Sequence, residues 1–244
     1  MTELLYQTDS YLQTFEAMVT AVDKDSHAVV LDQTAFYPGG GGQPADRGTL
    51  STLGDSIRAY NVKRAKKAGS QLLHLIEGNE PLPAIGTKLK GQIDWDLRYK
   101  LMRTHTAMHV LCGVIFRDYG ASVTGGDMEP LKGRMDFEFE TMQRELVDQI
   151  EKAINQEVAN AHPVRTDILP RQEAFRIPDL IRTKINLLPD GIQEVRVVEI
   201  VGLDLQADGG THVHNTSEIG HIRVLDYKSK GKINKRIYVE IEDA

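Results

Sequence analysis

Apolar and polar positions alternate over Phe15–Val22, and a short apolar run follows at Ala28–Leu31, with the polar stretch Asp23–His27 between them. A period of two on either side of a turn predicts a β-hairpin. Further strands are predicted over Ile57–Lys63, Gln71–Ile76 and Leu89–Asp94, punctuated by Gly, Pro and Asp. Several short strands with little helix between them predict a small barrel over residues 1–92. Near Trp95 the period changes. Tyr99, Met102, Thr106, Val110 and Gly113 share one stripe, and Leu101, His105, Met108, His109, Cys112 and Phe116 share another. That spacing predicts a helix from about Leu97 to Phe116. Gly120 and Gly125-Gly126 read as breaks, and Arg134–Phe139 as a strand. Thr141 reads as the cap of a second helix running to Ala161, before Pro163. Val195–Ile200, His221–Tyr227 and Arg236–Ile241 read as strands, the last two joined across Lys228–Lys235. Helices and strands without a regular βαβ order predict an α+β fold for residues 93–244.

Composition narrows the class. The chain has 244 residues, 41% hydrophobic and 26% charged, which suits an ordinary globular protein of two domains. One cysteine, Cys112, excludes an internal disulfide and fits a reducing cytoplasm. The first residues carry neither a basic nor a long apolar stretch, so no secretory leader is expected, and no membrane partner. A net charge of −6 leaves no global field for nucleic acid. A polyanion would need a local patch, and Lys228–Arg236 places five cations in nine residues.

The candidate chemistry is split along the chain. His105 and His109, four apart on one helical face, present two imidazoles at a spacing that one divalent metal can bridge. Thr106 follows His105, so the glutamate base of a HExxH protease is missing. Asp208 and His212 flank the turn Gly209-Gly210 and complete a set of three nitrogens and one carboxylate that suits zinc. His214 and His221 compete with His212 for that place, whereas Cys112 reads as core. Gly39–Gly42, followed by Gln43, forms a run of glycines that serves close backbone approach rather than packing.

Together these pieces resemble the editing domain of alanyl-tRNA synthetase and its freestanding relatives, the AlaX proteins, of the medium-length type. The family pattern is HxxxH and, after a long gap, CxxxH within a CGGTHV-type segment. Here it reads His105–His109 and then Asp208-Gly209-Gly210-Thr211-His212-Val213. Trp95–Arg103, Arg134–Phe137, Val195–Ile200, Phe36-Tyr37-Pro38 and Gly41-Gly42-Gln43-Pro44 also look familial. The resemblance implies an editing domain of the threonyl/alanyl-tRNA synthetase type after the barrel. It implies Zn²⁺ on His105, His109, Asp208 and His212, with Asp208 departing from the usual cysteine. The implied reaction is hydrolysis of serine, or also glycine, from the acceptor end of alanine tRNA. Thr106, Gly210 and Thr211 would then act at the ester. Gly40, Gly41, Gly42 and Gln43 would cover the aminoacyl group, and Lys230, Lys232 and Arg236 would hold the RNA. A structural zinc in a tRNA-binding module, or a zinc hydrolase of small esters or amides, remain the alternatives.

Overall fold

The computed structural model describes residues 2–54, 57–69, 71–183 and 191–243. Its strands are β1 (Glu3–Leu4), β2 (Thr14–Asp23), β3 (Ala28–Leu31), β4 (Gln33–Thr34), β5 (Gly48–Thr52), β6 (Ala59–Ala68), β7 (Gln71–Ile76) and β8 (Lys88–Ile93), followed by helix α1 (Trp95–Tyr119). Then come β9 (Val123–Glu129), β10 (Lys132–Glu138), α2 (Arg144–Ala159), β11 (Val164–Pro170), the short α3 (Arg171–Ala174), β12 (Glu194–Ile200), β13 (Asp204–Ala207), β14 (His221–Ser229) and β15 (Asn234–Glu242). The fold is α+β, with a closed barrel in its first part, as the alternation predicts. Two compact units emerge: Met1–Gly40 with Pro44–Tyr99, and Gly41–Gln43 with Lys100–Ala244.

In the first unit, β2, β3, β7, β6, β5 and β8 close into a barrel in that order. Successive side chains of a strand point to opposite faces, so Phe15, Ala17 and Val19 of β2 turn inward with Leu50, Tyr60, Val62, Leu72, Leu89 and Ile93. Gly91 lies where a Cβ would meet the Phe15 ring at 2.4 Å, so the missing side chain makes room for the aromatic one. Arg98, on the first turns of α1, is fully buried against Asp46 and donates to the carbonyls of Ser10 and Ala35. Asp46 also accepts the Tyr37 amide at 2.6 Å. This buried pair anchors the chain on both sides of the glycine run.

In the second unit, β14, β15, β10 and β9 form an antiparallel sheet, and β11, β12 and β13 a smaller one. Every residue of α1 from Leu101 to Ile115 is buried, not one stripe of it. Contacts on opposite sides explain why. A Cβ on Gly133 of β10 would reach the Met108 sulfur at 2.6 Å, and one on Gly113 would reach Leu203 and Asp204 at 2.9 and 3.0 Å. Helix α2 buries Val147, Ile150, Ile154 and Glu157, a spacing that covers one face, and packs on β14.

Three expectations change. Gly125-Gly126 does not break the chain but lies within edge strand β9, opposite Met135 and Asp136. Helix α2 begins at Arg144, and Thr141 does not cap it; Gln143 takes the N-cap position without a side-chain bond. The last hairpin turns within residues 230–233, because β14 runs to Ser229 and β15 starts at Asn234. Strands β5, β9, β11 and β13 carry no clear alternation, and sequence patterning misses them.

Candidate metal centre

His105 and His109 leave the buried helix α1 on one face, and Asp208 and His212 come from the turn after β13. Their ligand atoms all lie within 4.8 Å of one another. The His105 and His212 rings stack at 4.3 Å, and the His109 ring stands on edge to His212 at 4.7 Å. His214 and His221 are exposed and outside the group. Cys112 is buried beside Gln206, its thiol pKa pushed up by burial.

Each imidazole is turned by a partner on Nδ1. His105 Nδ1 lies 2.9 Å from Gln43 Oε1. That oxygen also accepts the Thr211 amide at 3.0 Å, while Gln43 Nε2 donates to the Thr211 hydroxyl at 2.8 Å. A backbone N–H can only donate, so it fixes the amide orientation of Gln43 and makes His105 Nδ1 the donor. His109 Nδ1 donates to Asp204 Oδ2 at 3.0 Å. The Thr106 hydroxyl gives its hydrogen to the Met102 carbonyl at 2.9 Å, so it accepts from His212 Nδ1 at 3.2 Å and from the Val213 amide. All three rings therefore carry hydrogen on Nδ1 and turn the Nε2 lone pair inward.

Asp208 supplies the anion. Its Oδ1 is 3.5 Å from His105 Nε2 and its Oδ2 3.0 Å from His212 Nε2. The Gly210 amide donates to Oδ2 at 2.6 Å. Burial works to raise the Asp208 pKa, but the surrounding imidazoles hold it well below the usual carboxylate range. Burial takes His212 well below its ordinary value and His105 down to about 4. Burial acts the same way on His109, but the Asp204 hydrogen bond and charge outweigh it and raise that pKa. An ionised carboxylate and a neutral Nε2 at 3.0 Å set lone pair against lone pair. A cation between them resolves the conflict, so this donor set fits a metal ion with N and O ligands.

The glycines now have reasons. Gly39, Gly40, Gly41 and Gly42 all have φ between +57° and +139°, which side chains rarely adopt. Gly42 lies against β9: a Cβ there would stand 3.3 Å from the Gly126 carbonyl, and the Met128 amide donates to the Gly42 carbonyl. Gly41 is exposed beside Asp208, 3.9 Å from Oδ1 as a Cβ would measure it. Gly40, in the first unit, accepts a bond from the Tyr37 hydroxyl. A Cβ on Gly210 would meet the His105 ring at 2.3 Å and Gln43 at 2.7 Å.

Sequence-expected contacts fall in several places. Thr106, Thr211, Gln43 and the Gly210 amide face the cluster; the Gly210 and Thr211 amides and Gln43 Nε2 donate within it, whereas the Thr106 hydroxyl donates to the Met102 carbonyl of its own helix. Lys230 and Lys232 are exposed, whereas Arg236 makes a two-pronged pair with Asp136. Sequence reasoning missed Asp204 and Arg196, whose guanidinium donates to the Asp208 carbonyl at 3.1 Å.

The family described as "Threonyl and Alanyl tRNA synthetase second additional domain" matches residues 195–238, which carry Asp208 and His212, and the class II (A) tRNA synthetase family matches residues 5–97. The closed barrel and these two family matches define a synthetase-type editing module. The alanyl-tRNA editing protein AlaX-M of Methanosarcina barkeri is 40% identical over the full length of both chains. That of Saccharolobus solfataricus is 40% identical over 99% of this chain and all of its own. The alanine–tRNA ligase of Pyrobaculum neutrophilum is 38% identical over 91% of this chain, which corresponds to 25% of the ligase. The chain belongs to the AlaX-M family of alanyl-tRNA editing proteins, whose class is the aminoacyl-tRNA deacylases. Among the described residues, no helix is long and apolar enough to cross a membrane.

Proposed function

We propose that this protein is a trans-acting editor that hydrolyses Ser-tRNA(Ala), and also Gly-tRNA(Ala), with Zn²⁺ on His105, His109, Asp208 and His212. The observation that carries the metal is the convergence of three Nε2 lone pairs on an ionised Asp208, each ring turned by its own Nδ1 partner. Zinc held there supplies Lewis-acid chemistry to the substrate that reaches it. The chain's own groups do the rest. Gln43, Asp204 and Thr106 hold the imidazoles in one tautomer. Gly210 pins Asp208, and Thr211 pins Gln43. Gly41, exposed and without a side chain beside Asp208, leaves the approach to the centre open for an aminoacyl end. Gly40 and Gly42 keep the rest of that segment free of side chains, and Lys230 and Lys232 face solvent, where RNA phosphates come. Accepting serine while rejecting alanine needs polar groups that alanine would leave unpaired, a form of discrimination that reaches large ratios.

Four protein donors around one ion also favour a second reading, a structural metal in a tRNA-binding module. Deacylation of Ser-, Gly- and Ala-tRNA(Ala) by the zinc-loaded protein tests the first reading. Serine release much faster than alanine release is expected. No release from any of the three would sink the hydrolase, and equal release of serine and alanine would sink the editing role. His105→Ala separates the two readings: loss of deacylation with tRNA binding and fold retained supports the first, unfolding the second.

A further inference from the structure

The C-terminal basic run is less free than its composition suggests. Lys228 pairs with Asp226 and Arg236 with Asp136, and the Lys235 ammonium donates to the carbonyls of Gly231 and Lys232. Elsewhere Arg47 stands on Asp94, Arg117 on Glu157 and Arg223 on Glu240. Strand β6 differs. Lys63, Arg64, Lys66 and Lys67 are all exposed, and among the described residues none of them makes an ion pair or a side-chain hydrogen bond. Four unneutralised cations within five residues are unusual for a chain of net charge −6.

The local geometry displays them on both faces of an open-edged strand. Strand β5 lies beside β6 only over Ala59–Val62, so from Arg64 to Ala68 the register gives β7 as its one neighbour. This half of β6 is a ribbon with an open edge. A register shift falls between Val62 and Arg64, at Lys63. Beyond it, Arg64 and Lys66 stand across from Leu75 and Leu73, and Lys67 stands across from the core residue Leu72. Cations therefore project from both faces of the ribbon. Charge on an edge strand blunts it against aggregation, but that role does not call for cations on both faces. Four cations on both faces match a partner whose charges surround the ribbon, and a phosphodiester backbone supplies such charges without any base being read.

We propose that Lys63, Arg64, Lys66 and Lys67 of β6 form a phosphate-gripping ribbon for the backbone of the tRNA, an assignment that rests on the editing function above. Affinity comes from counterion release at these side chains, so it depends steeply on salt.

The test measures tRNA(Ala) binding by fluorescence anisotropy between about 50 and 200 mM salt. It compares the wild type with Lys66→Ala/Lys67→Ala, Lys63→Gln/Arg64→Gln, Lys66→Arg/Lys67→Arg and, as a control, Lys24→Ala in the β2–β3 turn. Each neutralised pair is expected to flatten the log–log salt slope by roughly two and to weaken binding roughly tenfold. The arginine pair should restore both, and Lys24→Ala should change neither. In deacylation the neutralised pairs should raise KM and leave kcat near its starting value. Circular dichroism checks the fold of each variant. Wild-type slope and affinity in both folded neutral pairs would overturn the ribbon, and so would an equal loss in Lys24→Ala, which would mark a general charge effect. The two proposals fail differently. A wild type that binds tRNA with this slope but cleaves no ester removes the editor and keeps the ribbon. A wild type that edits while every variant binds alike removes the ribbon and keeps the editor.

Discussion

Asp204 shows how much of the centre is held from outside its four donors. Its Oδ2 takes His109 Nδ1 and Gln206 Nε2, Arg182 stands 3.5 Å from Oδ1, and among the described residues Oδ1 itself has no hydrogen-bond partner. Groups that orient a metal-bound histidine are worth about 10- to 100-fold in metal affinity. Asp204→Asn is therefore expected to lower zinc affinity by that factor, measured by competition with a chromophoric chelator, while the barrel stays folded. An unchanged affinity would mean that His109 needs no second partner. His105–His109 was legible in the sequence because helical spacing places i and i+4 on one face. Asp208 and His212 were legible from the turn between them. The Nδ1 partners were not. Gln43 lies 62 residues from His105 and Asp204 95 from His109, and no local periodicity links such pairs.

At the level of elements, patterning found the barrel strands that alternate, such as β2 and β8, or form short apolar runs, such as β3 and β7, and missed β5, which does neither. Strand β9 hid behind Gly125-Gly126, which pair with Asp136 and Met135 in the sheet instead of breaking the chain. Helix α1 read as striped because a few polar residues interrupt it, yet from Leu101 to Ile115 it is buried all round. The barrel also holds a titrating group that no pattern announced. His74 is buried, with Nδ1 toward the Val29 carbonyl at 3.2 Å and Nε2 toward the Thr34 hydroxyl at 2.8 Å. Burial lowers its pKa to about 4, from 6.5 when exposed. Above pH 6.5 both states are neutral and titration of the ring leaves stability unchanged. As pH falls below 6.5, the unfolded chain binds a proton that the folded ring refuses, so stability declines until about pH 4. The full loss amounts to roughly 3 kcal/mol. The difference in denaturant midpoint, wild type minus His74→Leu, should shift against the wild type as pH falls from 7 to 4. Parallel curves would show that His74 does not titrate with folding.

For the whole molecule, a metal that binds the folded chain and not the unfolded one adds stability by mass action. A hundredfold excess over Kd contributes about 2.7 kcal/mol. Chelation should therefore lower the melting temperature by several degrees and abolish deacylation, and zinc should restore both. Equal melting curves with and without chelator, in protein that analyses as zinc-free from the start, would argue against a bound metal. Charge follows the same logic at this scale. A net −6 disfavours RNA over most of the surface, so binding through the proposed β6 cations is expected to weaken steeply as ionic strength rises.

The three residues Gly41–Gln43 count with the second unit, while the chain on either side of them counts with the first. This protein is therefore not divisible by a single cut. A fragment starting at residue 93, where the sequence suggests a boundary, would keep all four cluster residues and lose the amide that fixes the tautomer of His105. Deletion or domain-transplant experiments on the second part alone would then report a weakened centre while every ligand is present. A transplant that carries Gly41–Gln43 along is the smallest one expected to behave like the whole.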